Sequence, residues 1–332
     1  MTRAGRWIGL LAVSSLSSAV AASSPRSDAV AQFQALRAVD ARLAAVGYRL
    51  ATANASLCRE QQPGTGATLH ALDQYDPALR AAARKVFGFP VPVAVELVVP
   101  GSPADRAGIA ANDGVTAVNG MPVPTGSEGA ANTATRDAAQ ALANAAGASA
   151  PLRLSIVRGA TPHQLSVAPV ASCRVGFELE LGPALSASSD GSVVQIGAAY
   201  FARYGDDQIA VIAAHEMAHV ILRHRARLEA AGVHWGLLGE VGRNARLFRW
   251  TEDDADRLSV SLLRNAGYDP ALAVTFWRQD VGNLDGGILH APTHSSARAR
   301  ADAIAAEIAR IPANAPTPYA PPVLATRDEV LN

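Results

Sequence analysis

Two histidines four residues apart, with a glutamate between them, constrain this 332-residue chain more than any other feature: His215-Glu216-Met217-Ala218-His219. Positions i and i+4 share one face of an α-helix, so both imidazoles can hold the same zinc ion. Glu216 then stands beside the metal, placed to act as general base on a water that the metal activates. The setting suits a helix. Residues 208–214 are apolar and helix-forming, Asp206 or Asp207 can cap the start, and Val220-Ile221-Leu222 carries the apolar character onward. The competing reading is a helix with two hydrogen-bonded histidines and a surface glutamate.

A catalytic zinc takes three protein ligands and keeps one position open. The extended motif HExxHxxGxxH is excluded, because Leu222 stands where its glycine belongs and Arg225 where its histidine belongs. His224, five residues beyond His219, is expected to turn away from the metal face and to meet the last carbonyls of the helix. A better third ligand lies in the acidic stretch 249–256. Glu252 and Asp256 are four apart on a predicted helix that runs to about Ala266. One carboxylate can bind zinc while the other accepts the second ring proton of a ligating histidine. An acidic helix N-terminus with an Asp253–Arg257 surface pair is the bland alternative; beside HExxH, Glu252 as ligand is the stronger reading.

Taken in order, HExxH, then Arg249, Glu252, Ala255 and Asp256 as R-x-x-E-x-x-A-D, then Ala-Gly-Tyr-Asp-Pro at 266–270, then Thr293, His294 and Arg300, resemble the gluzincin metalloendopeptidases. That family includes the heat-shock protease HtpX and the CAAX prenyl protease, and the resemblance covers roughly 28–58 and 173–311. It implies an α+β fold with a zincin-type catalytic domain, the HExxH helix lying on a small sheet. It implies one Zn2+ held by His215, His219 and Glu252, with Glu216 as base and Asp256 behind a histidine. It also implies that His294 and Arg300 reach the cleft and steady the oxyanion. The family usually has proline after that histidine; this chain has Ser295. A loop histidine could instead occupy zinc's open position and hold the enzyme latent. Upstream, 187–197 reads as a turn into a strand, and an exposed edge there would bind substrate as an added strand.

The chain has 29 basic and 29 acidic side chains, and no basic cluster is interleaved with aromatics. A nucleic-acid or anionic-membrane surface is therefore not expected. Arg3 and Arg6, an apolar run at 7–13 and small residues up to Ala22 read as a signal peptide over 1–22. No other run approaches a membrane span, so no integral membrane segment is expected after cleavage. The expected location is periplasmic or secreted. There, Cys58 and Cys173 suit a disulfide.

Between the cysteines the composition shifts to Gly, Pro and short β-type runs. Ser102-Pro103-Ala104, Ala107-Gly108-Ile109, Asn112-Asp113-Gly114 and Val118-Asn119-Gly120 resemble the PDZ domains of bacterial exported proteases. Strand, short helix, strand, Ala-rich helix over 135–146 and a hairpin around Arg158-Gly159 give the order of a permuted PDZ fold. Such a domain can hold an extended peptide between a strand and the long helix, with Phe87-Gly88-Phe89 as the candidate carboxylate loop. Pro90 and Pro92 follow that loop and each removes a donor, which leaves a rigid lid or docking element as the alternative. The expected layout is a signal peptide at 1–22, the first part of the catalytic domain at 23–85, a PDZ-like domain at 86–172, the catalytic domain at 173–312 and a Pro-rich tail at 313–332. Residues 27–46 are amphipathic and expected to form a packing helix, followed by a strand ending near Cys58.

The reading that unites these features is an exported zinc metalloendopeptidase acting on polypeptide, specifically unfolded or misassembled envelope proteins. The alternative is a zinc-stabilised PDZ-containing scaffold or chaperone-like binding protein with little turnover. Glu216 argues against it, since a structural zinc has no use for a base.

Overall fold

A computed structural model describes residues 25–233, 242–280 and 296–331. The expected signal peptide and His294 lie outside the described residues. The first segment holds α1 (Pro25–Ala53), β1 (Gln61–Gly64), β2 (Ala67–Ala71), α2 (Arg80–Phe87), β3 (Val93–Val98), α3 (Pro103–Arg106), β4 (Gly114–Val118) and β5 (Met121–Pro122). Then come α4 (Ala134–Asn144), β6 (Leu152–Arg158), β7 (Thr161–Val167), β8 (Val170–Cys173), β9 (Gly176–Glu180), β10 (Ala187–Ser189) and β11 (Val193–Gly197). The remaining elements are helices: α5 (Ala198–Arg203), α6 (Asp206–Ile221), α7 (His224–Ala230), α8 (Arg243–Asn265), α9 (Ala271–Thr275) and α10 (Ala297–Arg310).

Two cores result. In the inserted module, strands run in the order β2-β3-β4-β6-β7, with β5 paired to β4. The module's α4 closes one side, burying Thr135, Ala139 and Ala143, which recur at the helical four-residue spacing. Ala139 joins Val95, Val115 and Ile156 in that core. The β6–β7 hairpin turns at Gly159, whose φ of +61° is the left-handed backbone that glycine adopts at little cost. The sheet begins earlier than the expected boundary at residue 86. β2, at 67–71, pairs antiparallel with β3 and belongs to the module. The strand expected near Cys58 is likewise replaced, because α1 continues to Ala53 and β1 starts only at Gln61.

The second core is the body. Its sheet has the order β10-β11-β9, and α6 lies between that sheet, α1 and α8. Ile209 to Ala218 of α6 is buried without interruption, as expected of a helix that is apolar on every side and covered on every side. The chain crosses between body and module where β1 pairs with β8 from Gln61–Cys173 to Gly64–Val170. The Cys58–Cys173 disulfide sits at the same crossing, with Cα atoms 5.4 Å apart and a sequence separation of 115 residues.

The described part of the Pro-rich segment, 313–331, is docked rather than free. Asn265 exchanges hydrogen bonds with the backbone of Tyr319, at 3.0 and 2.7 Å. Arg227 donates to the carbonyl of Glu329, and Leu331 is buried with Leu228, Val233 and Leu247. Proline content favours an extended path, but here Pro322–Asp328 forms a 3-10 helix and the segment's main-chain groups are satisfied against α7 and α8. Among the described residues, no helix is long and apolar enough to cross a membrane.

A pair of carboxyls spans the junction between body and module. Asp40 of α1 and Glu96 of β3 share a hydrogen bond, while Arg37 Nε donates to the Glu96 carbonyl at 3.0 Å. Burial, then the charge of Asp40, pushes the Glu96 carboxyl up to about 8 from its ordinary 4.5. A raised folded-state value means that the native protein holds this proton more tightly than the unfolded chain. The associated stability is full below about 4.5 and is lost as pH rises through about 8. Glu96→Gln is expected to stabilise the protein at pH 8 by about 1–3 kcal/mol and to flatten its stability between pH 5 and 8. Urea unfolding across that range checks it; a Gln variant with the parent's slope would show that the pair is not the source.

Candidate metal site

The site is built where α6 crosses α8. On α6, His215 and His219 stand one turn apart, and on α8 so do Glu252 and Asp256. The crossing brings His215 Nε2 to 3.2 Å from Glu252 Oε2 and His219 Nε2 to 3.4 Å from Glu252 Oε1. The two Nε2 atoms are themselves 3.2 Å apart. Three donors on a tetrahedral zinc, with bonds near 2.0–2.1 Å, lie about 3.3 Å from one another. Each imidazole nitrogen lies at about that spacing from the other and from one Glu252 oxygen, His215 from Oε2 and His219 from Oε1, and this is the one group of three or more His, Cys, Asp or Glu side chains close enough to hold a metal ion among the described residues. Glu216 follows His215 directly and is buried; its charge is felt by the Tyr200 hydroxyl and the Arg300 guanidinium.

Behind the donors the polar groups are also fixed. His215 Nδ1 lies 3.0 Å from Asp256 Oδ1. An ionised carboxylate only accepts, so the ring donates through Nδ1 and keeps its Nε2 lone pair for a metal. Without a metal, burial and Arg300 oppose a charge on His215, but its hydrogen bonds to Asp256 and Glu252 outweigh them and push it up to about 10. His219 goes the other way, down to about 4, chiefly through burial. A ligating imidazole must be neutral, so His215 and His219 would hold a metal only with the extra proton on His215 released.

Arg300 reaches the candidate site from behind the donors, its Nη2 3.2 Å from His215 Nδ1 and 3.4 Å from His215 Nε2. It is 1 % exposed, and its Nε and Nη2 bond both oxygens of Asp256 at 2.7 Å. Its guanidinium carbon sits 3.5 Å from the centroid of the Trp277 ring. This fork-on-carboxylate pairing, stacked on an aromatic face, turns the cation toward Asp256 instead of an open cleft. Arg300 therefore braces the carboxylate that braces His215.

His224 also departs from its expected role. Continued α-helix would carry residue i+5 about 140° away from residue i. The helix does not continue: Arg223 adopts left-handed backbone, with φ +56°, and α7 starts afresh at His224. The turn places His224 Nδ1 2.9 Å from His219 Nδ1. Burial, then the neighbouring His219 and Arg227, holds His224 well below the usual histidine range. The non-glycine left-handed residue was the missing signal, and nothing in the residue type announces it.

The strand expected from 187–197 is a hairpin, β10 on β11, in which β10 forms the sheet's edge and packs on α6. That strand packs against α6, the helix that carries His215 and His219.

In the inserted module, Phe87-Gly88-Phe89 is not a ligand loop. Phe87 and Phe89 are buried among Phe33, His70 and Tyr75, and Gly88 ends α2 with φ +73°. The strand that follows, β3, has β2 on one side and β4 on the other, so neither of its edges is open. The sheet's edge strand next to β3 is β2. It faces α4 across a groove of about 560 Å³ whose walls include Thr65, Gly66, Thr68, Arg136, Gln140 and Asn144. The body closes the far side, with Arg136 of α4 paired to Glu178 of β9 at 2.8 Å. The Gly64-Thr65-Gly66 sequence ahead of β2 was the available signal for this groove.

The family model described as a PDZ domain matches residues 95–155. Among solved structures, the HtrA3 PDZ domain bound to a phage-derived ligand (FGRWV) is similar at 23 % sequence identity, covering 34 % of this chain and 89 % of that one with a TM-score of 0.24. No curated protein matches the chain by sequence. The inserted module is a PDZ domain, set in a mixed α and β body that carries the candidate metal site.

Proposed function

We propose that this chain is an exported zinc metalloendopeptidase of the gluzincin type, cleaving unfolded or misassembled envelope polypeptides. The observation that carries the proposal is the triangle of His215, His219 and Glu252 donors at zinc-ligand spacing, with Glu216 next to it on α6. When bound, zinc supplies Lewis acidity that polarises the scissile carbonyl and acidifies water. Glu216 takes the proton of the attacking water as its oxygen bonds to the carbonyl carbon. The same carboxyl then delivers that proton to the amine nitrogen as the C–N bond breaks. Asp256, held by Arg300, keeps His215 in the tautomer that ligates.

The β10 edge beside α6 suits a substrate bound as an extended strand through main-chain hydrogen bonds, which favours unfolded polypeptide over a particular side-chain sequence. The PDZ domain adds a second place for extended peptide, between β2 and α4. The test is zinc content together with cleavage of unfolded casein, before chelation, after chelation and after zinc is restored. Near-stoichiometric zinc, with cleavage lost and regained alongside it, is the expected result. Cleavage that survives complete removal of metal would sink the reading.

A further inference from the structure

A histidine that ligates zinc through Nε2 carries its proton on Nδ1, and in a buried site that proton needs an acceptor. His215 has Asp256 for the purpose. His219, whose Nε2 points to the same donor triangle, has His224: the two Nδ1 atoms are 2.9 Å apart and their rings are nearly perpendicular, at 78°. Two Nδ1 atoms can share one proton only if one ring donates and the other accepts. Since His219 must donate, His224 accepts, and it is therefore the neutral tautomer protonated at Nε2. That Nε2 is buried and has no hydrogen-bond partner among the described residues. A buried donor without an acceptor works against stability. So does the left-handed Arg223 that swings His224 into place. Both costs are borne where an unbroken helix would avoid them.

We propose that His224 is a positioning residue for the metal: it accepts the His219 Nδ1 proton, and so fixes the tautomer and ring orientation that present Nε2 to zinc. This rests on the zinc reading above. The charge pattern gives a reason for imidazole in place of a second carboxylate. Glu252 already neutralises one charge of a divalent ion, and Asp256 is balanced by Arg300. A neutral acceptor on His219 leaves the site its remaining positive charge, which is what polarises a carbonyl.

The experiment measures Co2+ and Zn2+ affinity of the full-length protein by competition with a chromophoric chelator, together with the Co2+ absorption spectrum. His224→Phe keeps a ring and removes the acceptor; His224→Leu repeats the comparison if Phe does not fold. His224→Asn restores an acceptor oxygen near the place of Nδ1. Expected is a rise in Kd of about 10- to 100-fold for Phe or Leu, with Asn recovering at least half of the loss on a logarithmic scale and the metal-free melting temperature not lowered in step. Metal affinity in Phe and Leu equal to the parent's overturns the proposal, and so does an Asn variant as weak as Phe. A parent that takes up no metal overturns the zinc reading itself, which is a separate and distinguishable failure.

Discussion

Glu216→Gln is expected to keep its zinc and lose peptide-bond cleavage by about 10³-fold. The substitution is nearly isosteric and leaves His215, His219 and Glu252 in place, so the donor triangle and its affinity should be intact. What disappears is a carboxylate able to take a proton from water and return it to the departing amine. Zinc content by metal analysis and casein cleavage, measured on the same preparation, check both halves. Full zinc with full activity in the Gln variant would remove Glu216 from the chemistry. Loss of zinc along with activity would make Glu216 a structural support for the donor set. Because Glu216 is buried in a helix that is itself buried from Ile209 to Ala218, unfolding should be compared as well. A melting temperature within a few degrees of the parent's keeps the interpretation chemical.

Much of the site was legible because its pattern is local. His215 and His219 share a helix face, as Glu252 and Asp256 do, and the four-residue period states as much without any knowledge of how α6 and α8 cross. What the period cannot give is the crossing, and therefore which partner each side chain meets. Arg300 illustrates the loss: sequence order brings it near the site, but only packing turns its guanidinium onto Asp256 and Trp277 instead of toward open space. His224 was misread for a different reason. The i+5 argument assumes an unbroken helix, and a single left-handed residue at Arg223 voids it. In the PDZ domain, Phe87-Gly88-Phe89 has the composition of a ligand loop, yet its rings supply a small aromatic core. Which strand forms the sheet's edge next to β3 is decided by long-range pairing, since β2 lies outside β3 in the sheet. Composition also misjudged the Pro-rich segment, whose hydrogen bonds to Arg264 and Asn265 depend on where α8 ends.

Asp256→Ala is expected to cost about 3–5 kcal/mol of stability and, separately, about 10- to 100-fold in zinc affinity. The two effects have different physical sources. Arg300 is almost wholly buried, and Asp256 supplies both of its strong acceptors, so truncation leaves an interior cation with only the longer 3.9 Å contact to Glu252. The affinity loss comes from His215, whose Nδ1 would have no carboxylate to hold its tautomer. The sign with pH follows from the same contacts. Burial opposes ionisation of Asp256, but Arg300 and the His215 hydrogen bond outweigh it and hold the carboxyl below its ordinary value of 3.8. The pair's stabilisation is therefore present above that value and lost as pH falls through the lowered one. A double variant, Asp256→Ala with Arg300→Met, separates the two sources. Removing both charges should recover most of the stability, because an apolar pair of similar bulk avoids the cost of burying charge. It should recover none of the zinc affinity, because His215 still lacks its acceptor. Urea unfolding of the metal-free proteins and chelator competition of the same set read the two quantities independently. If the double variant regained affinity along with stability, Asp256 would matter only as Arg300's counter-ion and not through His215.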